Sequence, residues 1–258
     1  MNERAAGRGE GLGPLWHVEG ESTFFAGPLT YNAPHQHGAP VYLAGLYGSF
    51  RIRMGGEAWT TCRTALVPAG VLHELDCGGD PLAVLYHEPD GAGRGAFASL
   101  MQGVRDVDGV LVGAGGEIRP LRELYERRDA GRWVGAALAD LSAFAACRAT
   151  RMPDQRIAEV LARLCERQDA GMSAGRLADA VGVSSSRLQH LFTEEVGVPF
   201  RRYRAWMRMR RAVAVVSAGE TFAGAAYAAG FADQSHFARD FRKTFGAPAS
   251  RSLLNIRR

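Results

Sequence analysis

The chain has 258 residues, a net charge of +4 and 47% hydrophobic residues, enough for one large domain or two ordinary ones with sizeable cores. It has no uninterrupted apolar run of the roughly eighteen residues that a membrane-spanning helix needs, so no membrane partner is expected. Its four cysteines, Cys62, Cys77, Cys147 and Cys165, include no CxxC pair. Free thiols in a reducing compartment are expected, with a thiol sensor built on Cys62 and Cys77 as the alternative.

Residues 1–20 begin with a charged, glycine-rich stretch lacking the apolar segment of a secretory signal. They are expected to be disordered, and the protein cytoplasmic. From about Glu21 to Pro89, short apolar runs alternate with Gly, Pro and Asp. Strands are predicted at Val41–Leu46, Ser49–Met54, Glu57–Thr61, Ala65–Val67 and Leu82–His87, with a hairpin turn at Met54-Gly55-Gly56-Glu57. Many short strands without intervening helices predict a small all-β sandwich or barrel. Tyr42, Tyr47, Phe50 and Trp59 are barrel core or the lining of an effector pocket, the mouth of such a barrel being the default site.

Residues 91–116 are glycine-rich and show no clear period. Between Pro120 and Ala149 the pattern becomes helical, with Leu121, Leu124 and Tyr125 on one face and Trp133, Ala137, Leu138, Leu141 and Phe144 on another. These accessory helices are expected to cover the barrel, a partner subunit, or both. The polar stretch around Pro153 predicts a linker at 150–155, dividing a sensing domain at 21–149 from an all-α domain at 156–258.

In the all-α part, Ile157, Val160, Leu161 and Leu164 form an amphipathic stripe. Ser173, Ser184, Thr221 and Asp233 are predicted N-caps, and Pro199 to about Ser217 one long helix. A short helix is expected after Pro248. A repeat stands out within this stretch. Leu188, Phe192, Gly197 and Pro199 recur 49 positions later as Phe237, Phe241, Gly246 and Pro248, while the turn glycines Gly182 and Gly230 are 48 apart. Each copy predicts helix, tight turn, helix, the glycines supplying the turns.

Charge follows the repeat. Residues 151–258 hold 18 Lys+Arg against 10 Asp+Glu, and residues 1–150 hold 13 against 17, so the basic surplus lies with the repeated half, the one suited to a polyanion. The exposed face of the first second-helix offers Ser185, Ser186, Gln189, His190 and Thr193. Its counterpart offers Gln234, Ser235, His236, Arg239 and Lys243. Gln pairs with adenine and Arg with guanine in a major groove. The joining helix carries Arg201, Arg202, Arg204, Arg208, Arg210 and Arg211. Arg201, Arg204 and Arg208, with Arg242 and Lys243, are the phosphate candidates, which set register without reading sequence.

Residues 156–254 resemble the DNA-binding domain of the AraC/XylS family of transcription regulators. The resemblance is carried by Ala226 to Phe237, running on through Phe241-Arg242-Lys243-Thr244-Phe245-Gly246. It implies base reading by Ser186, Gln189 and His190 in the first unit and by Gln234, Ser235, His236 and Arg239 in the second. The tail departs from the family pattern, with Pro248 one position early and Ala249, Ser252 and Leu253 at places often held by Pro, an aromatic and Arg.

Such regulators usually carry a sensing domain. His35-Gln36-His37, followed by Pro68-Ala69-Gly70-Val71-Leu72-His73, resembles the two short motifs of a cupin barrel, although the acid expected near Val41 is missing. His35, His37 and His73 are the candidate ligands of a divalent metal, with His87 a further one. The alternative is a barrel that keeps remnants of the motif without a cofactor. The resemblance implies a two-domain regulator without catalytic residues: an N-terminal cupin-like all-β barrel with accessory helices, and a C-terminal all-α domain with two helix-turn-helix units. Its partners would be double-stranded promoter DNA, a small-molecule effector, a second copy in a homodimer and, for an activator, RNA polymerase. A metal-dependent cupin sensor or enzyme fused to a DNA-binding domain is the alternative function.

Overall fold

A computed structural model of the chain describes residues 12–20, 22–87, 96–127, 129–146, 154–165 and 172–256. The first part is built of antiparallel strands: β1 (Leu15–Glu19), β2 (Ser22–Pro28), β3 (Tyr31–His35), β4 (Val41–Gly45), β5 (Phe50–Met54), β6 (Thr60–Cys62), β7 (Thr64–Val67), β8 (His73–Asp76) and β9 (Pro81–His87). Short strands β10 (Met101–Gln102), β11 (Arg105–Val107), β12 (Val110–Gly113) and β13 (Gly115–Gly116) organise the glycine-rich stretch that has no readable period. A seven-stranded sheet has the order β1-β2-β9-β4-β7-β12-β11, and a four-stranded sheet the order β3-β8-β5-β6.

The seven-stranded sheet is covered on both faces. Val41 and Leu43 point with Phe25, Val84 and Tyr86 toward the four-stranded sheet, where Phe50, Ile52 and Leu75 meet them. Tyr42 and Ala44 point the other way with Phe24, Ala83 and Leu85, under helices α1 (Arg119–Glu126) and α2 (Val134–Ala146). Two buried faces explain why β4 reads as a continuous apolar run rather than an alternating one. Leu121, Leu124, Tyr125 and Leu138 are buried against this outer face, and Trp133, Ala137 and Leu141 pack on it. Phe144 is 45% exposed despite its predicted place on the same face.

Two expectations need correcting. Leu15–Glu19, placed in a disordered N-terminus, is an edge strand whose residues pair one by one with Ser22–Ala26. Its Trp16 is buried in the core, and that burial orders the segment. The strand predicted at Glu57–Thr61 forms only at Thr60–Cys62, because Gly55 and Gly56 take positive φ and the chain regains register with β5 at Ile52–Thr60. The linker is only partly visible. Residues 150–153 lie outside the described residues, while Gln155 already begins α3 (Gln155–Cys165). Asp154 stands at its start, accepting from the Arg156 amide at 2.9 Å.

The helical part continues with α4 (Ala174–Ala180), α5 (Ser185–Val196), α6 (Phe200–Ser217), α7 (Phe222–Ala228), α8 (Gln234–Phe245) and α9 (Ala249–Leu253). The joining helix α6 has 18 residues, about 27 Å at 1.5 Å per residue. The short helix after Pro248 forms despite the divergent tail, because Ala249, Ser252 and Leu253 are buried.

The two parts share a core. Trp16, Phe25 and Tyr86 of the sheet cluster with Trp206 of α6 and Phe245 of α8. Trp16 Nε1 donates to the Ser252 carbonyl at 2.8 Å, Asn32 Nδ2 to the Phe245 carbonyl at 2.8 Å, and the Ala33 amide to the Gly246 carbonyl at 2.9 Å. The approach requires glycine at two places. A Cβ on Gly38 would stand 2.4 Å from the Trp206 Cβ, and one on Gly246 would stand 2.4 Å from the Ala33 carbonyl oxygen.

Candidate DNA-binding surface and effector cavity

The two repeated units are built alike. Ser184 caps α5, its side chain accepting from the Arg187 amide, and Asp233 caps α8, accepting from the His236 amide. Ser173 and Thr221 cap the preceding helices α4 and α7 in the same way. Each cap satisfies a backbone N–H that the helix itself leaves unpaired, a contribution of about 1 kcal/mol. Gly182 and Gly230 hold φ of +69° and +77° in the turns, and Gly197 and Gly246 end the second helices in the left-handed region. Leu188 and Phe192 in one unit, Phe237 and Phe241 in the other, are fully buried. Pro199 and Pro248 both stand at the N-cap of the next helix. The spacing of the repeat is thus a repeat of caps, stripes and stops.

With the apolar stripe fixed inward, the opposite face is presented to solvent. Ser186, Gln189 and His190 are exposed on α5, and Gln234, Ser235 and Arg239 on α8. His236 is half-buried: its ring lies edge-on to Phe231 at 5.3 Å, its Nδ1 accepts from the Ala232 amide at 3.4 Å, and its Nε2 is 3.4 Å from Asp240. It braces the second turn as well as facing outward. Arg242 and Lys243 are exposed in the last turn of α8, where a positive charge also suits the helix dipole.

Helix α6 divides its arginines between two faces. Arg201, Arg204, Arg208 and Arg211 follow spacings of three, four and three, which places them on one side of a helix. They line a groove with Ser173 and Ala174 at the start of α4 and with Ala229 and Gly230 at the second turn. Arg208 lies over the Phe231 ring and reaches Asp240 at 3.3 Å. Arg210 points the other way and is buried against the sheet, donating from Nε to Thr23 Oγ1 at 2.6 Å and from Nη2 to the Gly20 carbonyl at 2.7 Å. Arg202 donates to Gln36 Oε1 at 3.0 Å. The sequence presents all six arginines as one group. Their three-four-three spacing is the signal that Arg202 and Arg210 belong to a different surface.

A cavity of about 390 Å³ lies where the two parts meet. Trp16, Leu43, Leu75, Val84 and Tyr86 come to it from the β-part, and Phe245, Ala247, Arg251 and Ser252 from the helical part. Tyr42, Tyr47, Phe50 and Trp59 do not line it. Tyr42 lies on the opposite face of β4, stacked on Phe97. Tyr47 donates to Glu126 Oε1 at 2.8 Å beneath Arg122. Phe50 is closed into the core between the sheets, and the Trp59 ring meets the Arg51 and Arg53 guanidiniums. Period two separates Tyr42 from Leu43, and the cavity is on the Leu43 side.

His35 and His37 border the cavity, and His73 joins them. His35 and His73 are cross-strand partners of β3 and β8, and His37 follows two residues later. All three are buried, and one nitrogen from each lies within 4.8 Å of the others. Burial pushes the His35 imidazole down to about 3, reinforced by His73, and His73 down to about 4. It holds His37 well below its usual range, with the two neighbouring rings adding to the effect. All three rings are therefore neutral at physiological pH. The side chain of His87 lies outside the described residues. Cys62 and Cys77 are buried free thiols raised to about 12 by burial. Such thiols are inert, which removes the physical basis of a Cys62–Cys77 sensor.

Comparison with known proteins agrees with this geometry. A helix-turn-helix domain family matches residues 177–253. Most of the chain is similar in fold to ToxT from Vibrio cholerae. An apo ToxT variant superposes with a TM-score of 0.59 at 14% identity, covering 92% of this chain and 98% of ToxT. Unsaturated fatty acid bound wild-type ToxT gives 0.58 at 14% identity, covering 93% and 97%. ToxT bound to (E)-4-(8-methylnaphthalen-1-yl)but-3-enoic acid gives 0.53 at 12% identity, covering 90% and 98%. No curated protein matches the chain. Residues 177–253 thus match a helix-turn-helix domain, within a chain whose fold is similar to that of ToxT.

Proposed function

We propose that the protein is a transcription regulator that binds promoter DNA through α5 and α8, with a small effector in the cavity between its two parts adjusting that binding. The observation that carries the reading is the pair of capped, glycine-terminated helices with exposed polar faces, joined by a helix whose Arg201, Arg204, Arg208 and Arg211 line a groove. Ser186, Gln189 and His190 read one groove segment and Gln234, Ser235, His236 and Arg239 the next. Arg201, Arg204, Arg208, Arg242 and Lys243 hold phosphates.

The cavity favours a small, mostly apolar effector, since Trp16, Phe25, Leu43, Leu75, Val84 and Phe245 all line it. Arg251 offers a guanidinium to an acidic group. The acid-bound ToxT structures support an effector of this kind. An effector that prefers one arrangement of the joint shifts the population of DNA-competent molecules. A homodimer would present four reading helices. The test is fluorescence anisotropy with labelled duplexes from the promoters flanking the gene, in the presence and absence of medium-chain and long-chain acids. Saturable binding that one of these acids shifts supports the reading, and identical isotherms for promoter and random duplexes overturn it.

A further inference from the structure

We propose that His35, His37 and His73 form a site for one divalent transition-metal ion of the zinc type, placed so that occupancy braces the joint between the sensing part and the DNA-binding domain. The first support is the state of the rings. His35 Nδ1 and His73 Nδ1 point at the Ala33 and Val71 carbonyls, at 2.8 and 3.0 Å. Those hydrogen bonds fix the Nδ1–H tautomer and leave Nε2 of each ring as a lone-pair donor, the usual outer-shell arrangement of a metal-binding histidine. His37 Nδ1 and His73 Nε2 are buried without a hydrogen-bond partner. A buried polar atom in that state is costly unless something satisfies it.

The second support is geometry. The candidate donors lie within 4.8 Å of one another. Nitrogens on a tetrahedral zinc stand roughly 3.4 Å apart, given bonds of about 2.0–2.1 Å. The rings therefore close by little more than an ångström, a rotamer-scale adjustment. Three neutral imidazoles without a carboxylate suit zinc, nickel, copper or iron and do not suit calcium or magnesium. The cavity borders two of the three rings, so water or an effector's donor atom has room to complete the coordination.

The third support is position. His35 is two residues from Ala33, whose amide donates across the joint to the Gly246 carbonyl at 2.9 Å. A Cβ on Gly246 would stand 2.6 Å from His35 Nδ1. The His37 ring packs on Trp206 of α6 and Phe245 of α8, with centroids 6.4 and 6.0 Å apart. Drawing the three rings together therefore fixes the β3 edge and the loop after it against the end of the second reading helix.

The site is tested on the full chain, stripped with chelator and titrated with Co²⁺ and Zn²⁺ alone, without DNA or effector. Expected are one equivalent bound per chain, visible Co²⁺ absorption of a low-coordinate nitrogen site, and a raised Tm. Slower hydrogen exchange is expected at the Ala33 amide. His37→Ala and, separately, His35→Gln should abolish tight uptake, and circular dichroism confirms which variants remain folded. Absence of stoichiometric uptake by the wild-type chain overturns the site. So does uptake that survives in folded variants, or uptake that leaves exchange at Ala33 unchanged. DNA binding takes no part in these readouts, so failure here leaves the regulator reading intact.

Discussion

Arg210 Nε donates to Thr23 Oγ1 at 2.6 Å, so an arginine from the helix that joins the two helix-turn-helix units is spent against the β-part. Its Nη2 also reaches the Gly20 and Ser22 carbonyls. Arg210→Met keeps the unbranched apolar stem of the side chain and deletes these bonds, at a cost of roughly 1–3 kcal/mol. For a chain of this size that lowers Tm by about 2–4 °C per kcal/mol. The salt dependence of DNA binding should not change, because Arg210 lies away from the arginine groove. A smaller salt slope in this variant would assign it to phosphate instead.

The N-caps offer a matched pair. Ser184→Ala and Asp233→Ala should each cost about 1 kcal/mol. The two caps serve separate helices, so the double variant should lose the sum to within about 0.5 kcal/mol. Urea denaturation measures both. An excess beyond that sum would mean that the two units unfold as a more tightly coupled body than their separate caps suggest.

Glycine substitutions separate backbone strain from steric overlap. Gly182 has φ of +69° and open space where a Cβ would stand. Gly182→Ala therefore carries only the left-handed penalty of roughly 1–2 kcal/mol. Gly246 has φ of +71°, and its Cβ would meet the Ala33 carbonyl and His35 together. Gly246→Ala should be clearly the more destabilising of the two. Equal melting temperatures would show that the joint yields without cost.

At the DNA surface, Arg239→Ala should cost roughly 1–3 kcal/mol at one base position and relax preference there. Arg242→Ala and Lys243→Ala should weaken all sequences alike and reduce the salt slope by about 0.9 for each phosphate no longer neutralised. Anisotropy titrations on single-base duplex variants at several salt concentrations distinguish the two patterns. A uniform weakening for Arg239→Ala would move that residue to the phosphate group.

The cavity and the opposite sheet face make opposite predictions. Tyr42 carries a buried hydroxyl with no hydrogen-bond partner, so Tyr42→Phe should be neutral or stabilising and leave any effector response unchanged. Val84→Phe projects into the cavity and should weaken that response severalfold. Thermal shift with the effector checks both. A response abolished in Tyr42→Phe and kept in Val84→Phe would return the pocket to the helix-covered face.

The helical part was legible because its rules are local. Ser184, Asp233, Gly197 and Gly246 each act within a turn of their own position, and Phe237 and Phe241 repeat at helical spacing. The β-part was legible as a class but not in its faces. A strand buried on both sides, such as Val41–Gly45, carries no alternation to say that Leu43 faces the cavity and Tyr42 the helices. Trp16 was unreadable for another reason. Its partner is a carbonyl 236 residues away, a distance no local pattern spans. The histidines stand between these cases, their motif spacing bringing His35 and His73 to facing positions that the β3–β8 register then fixes.

The two-faced arginine pattern of α6 has a kinetic consequence. With Arg202 and Arg210 turned toward the β-part and Arg201, Arg204, Arg208 and Arg211 turned away from it, the helix is electrically lopsided across its own width. On the proposed function, DNA approaching from solution is expected to be drawn to the side that carries Arg201, Arg204, Arg208 and Arg211. Orientation would then be biased during diffusion, before any base is touched.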